Sequence, residues 1–439
     1  MKRIIFLSLF FYICLLGVFA ENSTESKKHT LSVDDAVKIA LGNNVSVKRQ
    51  TITLEAAARA KKDSWNSISP SVSVGATSSI PVDSLTFGDQ SSSYNANLAV
   101  NASVSVNFSA NLYTSIKNAK LSYEQSKISF DDALRSIEFS VRESYYELLY
   151  KKENIALQEE NLSIAKKQYE TNLAKYNSGR LSEVDSLSAE VNYKSMIPTV
   201  ENARTDYINS MDSFKQVLGL MIEDEVELTG SLSDELFLDE VTVDEKNVTS
   251  STIKVLQSKL ESAKLSVLDK RFSAFAPTVN ATYSWKDSTW YYGGTQQSYP
   301  KKSSSITLSA SIPLDGILPW SSKNNAVDSA KDSVKDYELQ LDDEKKSLIR
   351  TVNISLRSIK QSQEAILSKQ ANVELAQKTC DMTEEAYNRG TKDLLTLQTA
   401  NNTLLTAQLT LNSEILTLTK AMLNLEHAAG LNAGSLKNK

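Results

Sequence analysis

The chain has 439 residues, a formal net charge of −5 and 41% hydrophobic residues, with only 13 Gly and 7 Pro to interrupt it. A charge this small and negative offers no footprint for nucleic acid, and so few breakers point to long elements instead of several loop-rich domains. The two histidines, His29 and His427, have no cysteine or histidine companions at metal-ligand spacing, and no Gly-rich phosphate loop is present. Nothing here therefore signals an enzyme, a metal or a cofactor.

Residues 1–20 read as a secretory signal: Lys2 and Arg3 precede an apolar run from Ile4 to Phe19, and Val18-Phe19-Ala20 supplies small residues for cleavage after Ala20. The run is shorter than the ~20 residues of a spanning helix, and no later stretch reaches that length. Any membrane crossing is then expected from strands. Cys14 leaves with the signal, so Cys380 is single and expected to pack between helices.

The mature chain opens on Leu31–Asn44. Ser32 has the chemistry of an N-cap, and Asp34 and Asp35 suit the positive helix end. Val33, Ala36, Val37, Ala40 and Leu41 share one face, and Gly42-Asn43-Asn44 separates this helix from a second one running to about Trp65. From Pro70 the period changes to two, first through Val72, Val74 and Ala76. It resumes after a polar stretch at Leu98, Val100, Ala102, Val104, Val106, Phe108, Ala110 and Leu112. The residues between are almost all Ser, Asn and Thr. That predicts strands with one oily and one uncharged wet face, as in a barrel around a water-filled lumen.

Tyr113–Tyr176 contains neither Pro nor Gly. Ile137, Val141, Tyr145 and Leu148, then Leu162, Ala165, Tyr169, Leu173 and Tyr176, form helical seams. A helix of that span would be about 96 Å long. A return helix from Ser182 to Gly219 is expected to kink or break at Pro198. Residues 221–245 hold ten acids and no base, and read as a solvated connector between repeats, with a specific partner-binding belt as the alternative. A helix over 250–272 follows, then a strand from Pro277 through Trp285, a loop containing Trp290-Tyr-Tyr, and a strand through Ile306, Leu308, Ala310 and Ile312. A corner at Pro313/Gly316/Pro319 leads into a long helix to about 388.

A phrase recurs at a fixed offset of 211 residues. Tyr176-Asn-Ser-Gly179-Arg-Leu-Ser-Glu-Val-Asp185 through Ala189 is answered by Tyr387-Asn-Arg-Gly390-Thr-Lys-Asp393 through Ala400, and Gly219-Leu220 by Gly430-Leu431. So long a period indicates two structural repeats. The expected layout is a first repeat over 21–220 with strands at about 68–80 and 97–112 and a tip at 176–184. An acidic connector at 221–249 leads to a second repeat over 250–431, with strands at about 275–286 and 303–313 and a tip at 387–394, and then a tail at 432–439. Four strands per chain cannot close a barrel without open edges. About eight strands only just admit side chains, so three chains giving twelve strands is the smallest closure that leaves a lumen.

On the Leu31–Asn44 phrase, the Pro-led strands and the two Tyr-x-x-Gly…Ala turns, the chain resembles the TolC-like outer-membrane efflux channels over essentially its whole mature length. The resemblance implies an α+β fold, with a trimeric twelve-stranded outer-membrane β-barrel continued into the periplasm by a long α-helical barrel. It implies a passive exit conduit without catalysis, set in outer-membrane lipid and docked by a periplasmic adaptor and an inner-membrane transporter. It places a gate latch on Asp185, Tyr387 and Lys392, with Lys standing where Arg is typical. Lys cannot form the planar two-bond fork, so a looser latch is expected. The family's acidic pore constriction falls on Thr396 and Thr399, both neutral, with Asp393 nearby as a partial substitute. Gly179, Arg180, Leu181, Gly390 and Thr391 fall on the adaptor-facing tips. An exported helical filament protein is the alternative; it predicts no internal repeat.

Overall fold

The computed structural model describes residues 28–79, 95–236, 239, 241, 249–292, 298–432 and 434–436. The expected signal segment and most of the polar stretch 81–95 lie outside the described residues. The helices are α1 (Val33–Asn43), α2 (Val45–Lys62), α3 (Asn111–Asn177), α4 (Glu183–Leu218), α5 (Ser251–Phe275), α6 (Ser322–Asn388) and α7 (Leu394–Ala429). The strands are β1 (Lys28–Leu31), β2 (Ser71–Ser79), β3 (Asn95–Ser109), β4 (Glu225–Leu228), β5 (Thr278–Tyr292) and β6 (Ser298–Ser311). α3 and α6 are 67 residues each and α4 and α7 are 36 each, so the lengths as well as the sequence phrases match at the same offset. Among the described residues no helix is long and apolar enough to cross a membrane. The chain divides into two compact units.

The first unit comprises Met1–Asn44, Ser140–Leu236 and Ile366–Leu416. Ser32 caps α1, its hydroxyl accepting from the Asp35 N–H and donating to the Asp35 carboxylate at 2.6 Å. The Ser32 hydroxyl holds the Asp35 carboxyl below its ordinary value, and the Lys38 ammonium adds to the effect. Ala36, Val37 and Ala40 are buried, and Asn44 closes the helix by donating from Nδ2 to the Val217 carbonyl at 2.7 Å. Gly219, which ends α4 at φ 71°, has no room for a side chain: a Cβ there would lie 2.9 Å from the Asn43 carbonyl oxygen. α4 runs through Pro198 without the break that was one of the two expected outcomes. Pro198 and Lys194, one turn before it, are both exposed, so the backbone bond that proline cannot donate is lost on the solvent side of the helix.

The acidic connector also differs from its sequence reading. β4 pairs in parallel with β1, from Lys28↔Glu225 to Leu31↔Leu228. Leu228 and Leu232 are buried, and Glu153 accepts from the Leu232 N–H at 2.7 Å and the Ser231 hydroxyl at 2.9 Å. In β4 the exposed Glu225 and Glu227 alternate with Val226 and Leu228, so the charges stay in water while the apolar side chains turn inward. Tyr145 ties the pieces together: its hydroxyl lies between the carbonyls of Leu31, at 3.0 Å, and Thr229, and its ring meets Phe214 edge-on. Burial pushes the Tyr145 phenol up, which keeps it a donor.

The second unit comprises Val45–Phe139, Phe237–Ala365 and Thr417–Lys439. Its main feature is a four-stranded antiparallel sheet in the order β2-β3-β5-β6. β5 continues through Trp290, Tyr291 and Tyr292, where the sequence reading placed a loop; aromatic residues fit a pleated ladder well. Register runs Val74↔Ala102↔Trp285 and Val72↔Val104↔Tyr283↔Ile306, so the apolar rows of all four strands fall on one face. On the other face hydroxyls bond across strands, Ser71 to Ser105 at 2.6 Å, Ser73 to Ser103 at 2.7 Å and Ser284 to Ser305 at 2.8 Å. Where β3 turns into α3, Asn111 and Thr114 both donate to Asp269 Oδ1 of α5, at 2.7 and 2.6 Å, clamping the junction.

Candidate functional site

Two features carry chemistry: the faces of the sheet in the second unit, and the paired helix tips in the first. On the sheet, Ile306 and Leu308 are 82% and 75% exposed, and Val72 and Val74 70% and 75%. Monomeric soluble proteins rarely leave an apolar face of this kind uncovered; such a face marks a contact with membrane or with another protein surface. It gives way to charge at Asp287 and Lys302, 3.8 Å apart and in the row of Val100.

The two tips share one backbone design. Gly179 and Gly390 take φ 71° and 76°. Each closes its helix with a matched pair of bonds: Gly179 N–H to Tyr176 carbonyl and Arg180 N–H to Lys175 carbonyl, then Gly390 to Tyr387 and Thr391 to Ala386. The caps that follow are mirror images in chemistry. At the first tip Ser182 is the N-cap, accepting from the Asp185 N–H at 3.1 Å and donating to its carboxylate at 2.6 Å. At the second, Asp393 holds the position of Ser182, and its Oδ1 accepts from both the N–H and the hydroxyl of Thr396, which holds the position of Asp185. Hydroxyl and carboxylate have changed places. Thr396 in turn keeps the Asp393 carboxyl below its ordinary value.

The expected latch residues are not joined within the chain. Among the described residues no hydrogen bond or ion pair links Asp185 to Tyr387 or Lys392. Tyr387 instead donates to Asn172 Oδ1 at 2.9 Å, with the Lys175 ammonium 5.4 Å from its ring centroid. Lys392 and Asp393 are exposed, as are Gly179, Arg180, Gly390 and Thr391; Leu181 is half-buried. Asn172 was missed because the apolar seam was drawn through Leu173 and Tyr176. The structure leaves Tyr176 exposed and buries Asn161, Ala165 and Asn172, and the two asparagines eleven residues apart were the available signal.

Thr396 and Thr399 line a groove of about 1040 Å³ between α6 and α7, none of whose fourteen lining residues is ionisable. Thr379, Thr383, Thr399, Thr403 and Thr406 each donate to a carbonyl one turn back on their own helix, at 2.7 to 2.8 Å. The surface they leave is neutral, of methyls and oxygen lone pairs. Cys380 is buried nearby, with Sγ 2.9 Å from Asn401 Oδ1, and burial pushes its thiol up.

The profile of the outer membrane efflux protein family matches residues 36–220 and 252–431, two stretches that together make up most of the chain. The chain belongs to the outer membrane efflux protein family. Its similarity to the outer membrane protein TolC of Salmonella enteritidis is 24% identity over 286 residues, covering 60% of this chain and 55% of that relative's length. The fold is that of solved channels. The Campylobacter jejuni CmeC outer membrane channel superimposes with a TM-score of 0.72 at 17% identity, over 91% of this chain and 85% of that one. The outer membrane protein VceC of Vibrio cholerae gives 0.71 at 14%, over 91% and 96%. CusC gives 0.75 at 13%, over 94% and 96%. Membership in this family removes the filament alternative.

Proposed function

We propose that this efflux-family chain is the outer-membrane exit channel of a tripartite efflux or type I secretion system, assembled as a homotrimer. The observation that carries the reading is the sheet: one continuous apolar face left uncovered, one face of bonded hydroxyls, and outer strands β2 and β6 that each pair on one side among the described residues. Three such sheets joined edge to edge give a twelve-stranded barrel with the hydroxyl face inside. The halves 21–220 and 250–431 are then duplicated repeats, joined by the connector 221–249 and followed by the tail 432–439, with residues 1–20 the export signal. The equal helix lengths and the twofold family match support that division.

The helices continue the tube into the periplasm. The tips at Gly179, Arg180, Leu181, Gly390 and Thr391 are proposed to receive a periplasmic adaptor, which links the channel to an inner-membrane transporter. The channel is passive, works without cofactor or catalysis, and draws its energy from that pump. Asp185, Tyr387 and Lys392 are proposed gate residues, with Asp185 and Lys392 meeting between neighbouring copies because they do not meet within one. Thr396, Thr399 and Asp393 are proposed to sit at the constriction.

The test is to purify the protein from membranes and measure its oligomeric state and its conductance in planar lipid bilayers. A heat-modifiable trimer that conducts ions is expected; a non-conducting monomer would remove the reading. Conductance unchanged in both Asp185→Ala and Lys392→Glu would remove the latch while leaving the channel.

A further inference from the structure

Resting on the channel reading above, we propose that Asn172 is a gate residue, tying the second tip to the first helix hairpin through a neutral hydrogen bond from Tyr387. Asn172 lies on α3, one and a half turns before its end, and is only 1% exposed. Its Oδ1 receives the Tyr387 hydroxyl of α6 at 2.9 Å, and Lys175 covers the tyrosine ring at 5.4 Å. Tyr387 has a single O–H to give, and here it is given to Asn172 and not to Asp185. Asp185 is itself taken by Ser182. The hydrogen bond that joins the two hairpin tips is therefore made of uncharged groups, which salt does not screen.

The other end of the same amide gives the tie a switch's character. Asn172 Nδ2 is buried and has no hydrogen-bond partner among the described residues. Such a group is tolerated where a special role keeps it, and it costs stability as long as it stays dry. If α6 moves away from α3, water reaches both ends of the amide. Losing the Tyr387 bond is then offset by hydration of Nδ2. A contact so balanced holds a tip in place without locking it.

The experiment is a double-mutant cycle on the full-length protein: wild type, Asn172→Leu, Tyr387→Phe and the double variant. Each is read by conductance in lipid bilayers and by melting midpoint. The expected result is that both single variants shift conductance in the same direction by a similar factor. The double variant shifts it no further, and the ratio to wild type is the same at low and high salt. Additive effects would overturn the proposal, as would an Asn172→Leu channel indistinguishable from wild type, or a ratio that shrinks with salt. Coupled melting with unchanged conductance would leave Asn172 structural only and also overturn it. A wild type that forms no channel but melts with coupling between the two sites would remove the channel reading and not the bond.

Discussion

Asp393 accepts from the backbone N–H of Thr396 at 2.8 Å and also from its hydroxyl, and so caps α7 at the second tip as Ser182 and Asp185 cap α4 at the first, with the roles exchanged. The sequence reading considered Asp393 a substitute for a missing pore acid. The structure gives its carboxylate another task, and that task has consequences that can be measured.

The cap makes the second tip acid-sensitive. Thr396 lowers the Asp393 carboxyl from its ordinary value of 3.8, so the group contributes stability above that value and loses it as pH falls through the depressed one. Asp393→Ala is expected to remove the cap at all pH values. Hydrogen exchange at the N–H groups of residues 394–397 should quicken in the variant at pH 7 and match wild type in strong acid. Equal protection in the two proteins at neutral pH would mean the cap does nothing for α7.

Gly219 and Gly179 separate two costs that usually come together. Both take φ 71°, but a Cβ at Gly179 meets nothing within 4 Å, whereas at Gly219 it would meet the Asn43 carbonyl oxygen at 2.9 Å. Gly179→Ala should therefore cost only the strain of a left-handed residue, about 1 kcal/mol. Gly219→Ala should cost that strain plus the displacement of α1, on the order of 2–4 kcal/mol in total. Denaturant midpoints of the two variants check the difference. Equal losses would mean that α1 yields freely.

The long elements were legible because their signals repeat. The oily alternation of β3 and the seam of Val141, Tyr145 and Leu148 each restate one period many times, and all three seam residues are buried. Trp290, Tyr291 and Tyr292 were lost to a loop because the glycines that follow them outweighed their own strand preference. The parallel pair β1–β4 was missed because each strand has four residues and its partner lies almost two hundred residues away. At the tips, the glycines and turns could be read from their chemistry. The pairing of Tyr387 with Asn172 could not, because it depends on how α3 rotates by a fraction of a turn, which puts Asn172 inside in place of Leu173.

Leu232 tests the corrected reading of the acidic segment. It is fully buried, next to the Glu153 carboxylate that fixes its own backbone N–H. In a solvated connector Leu232→Ala would be neutral. As a core residue it should lose about 2–5 kcal/mol, the usual range for deleting a buried leucine side chain without collapse of the cavity. Urea unfolding of the first unit, followed by the near-ultraviolet signal of Tyr145, measures it.

The threonine groove makes the last and most functional prediction. The groove has no ionisable side chain among its lining residues, and its threonine hydroxyls are donated to their own helices. Asp393, the one acid proposed at the constriction, is already engaged in capping α7 through Thr396, so no free set of carboxylates is left there for a divalent cation. Magnesium and calcium prefer several carboxylate or carbonyl oxygens held together. Wild-type conductance should therefore be insensitive to millimolar divalent cations added on the periplasmic side. Thr399 is exposed in the chain, so Thr399→Asp adds a charge without disturbing a packed core. In the proposed trimer that variant places three carboxylates around one axis, and divalent block should appear. Block in the wild type would show that the constriction lies elsewhere. Its absence in Thr399→Asp, with the variant still trimeric and conducting, would show that α7 turns this face away from the pore.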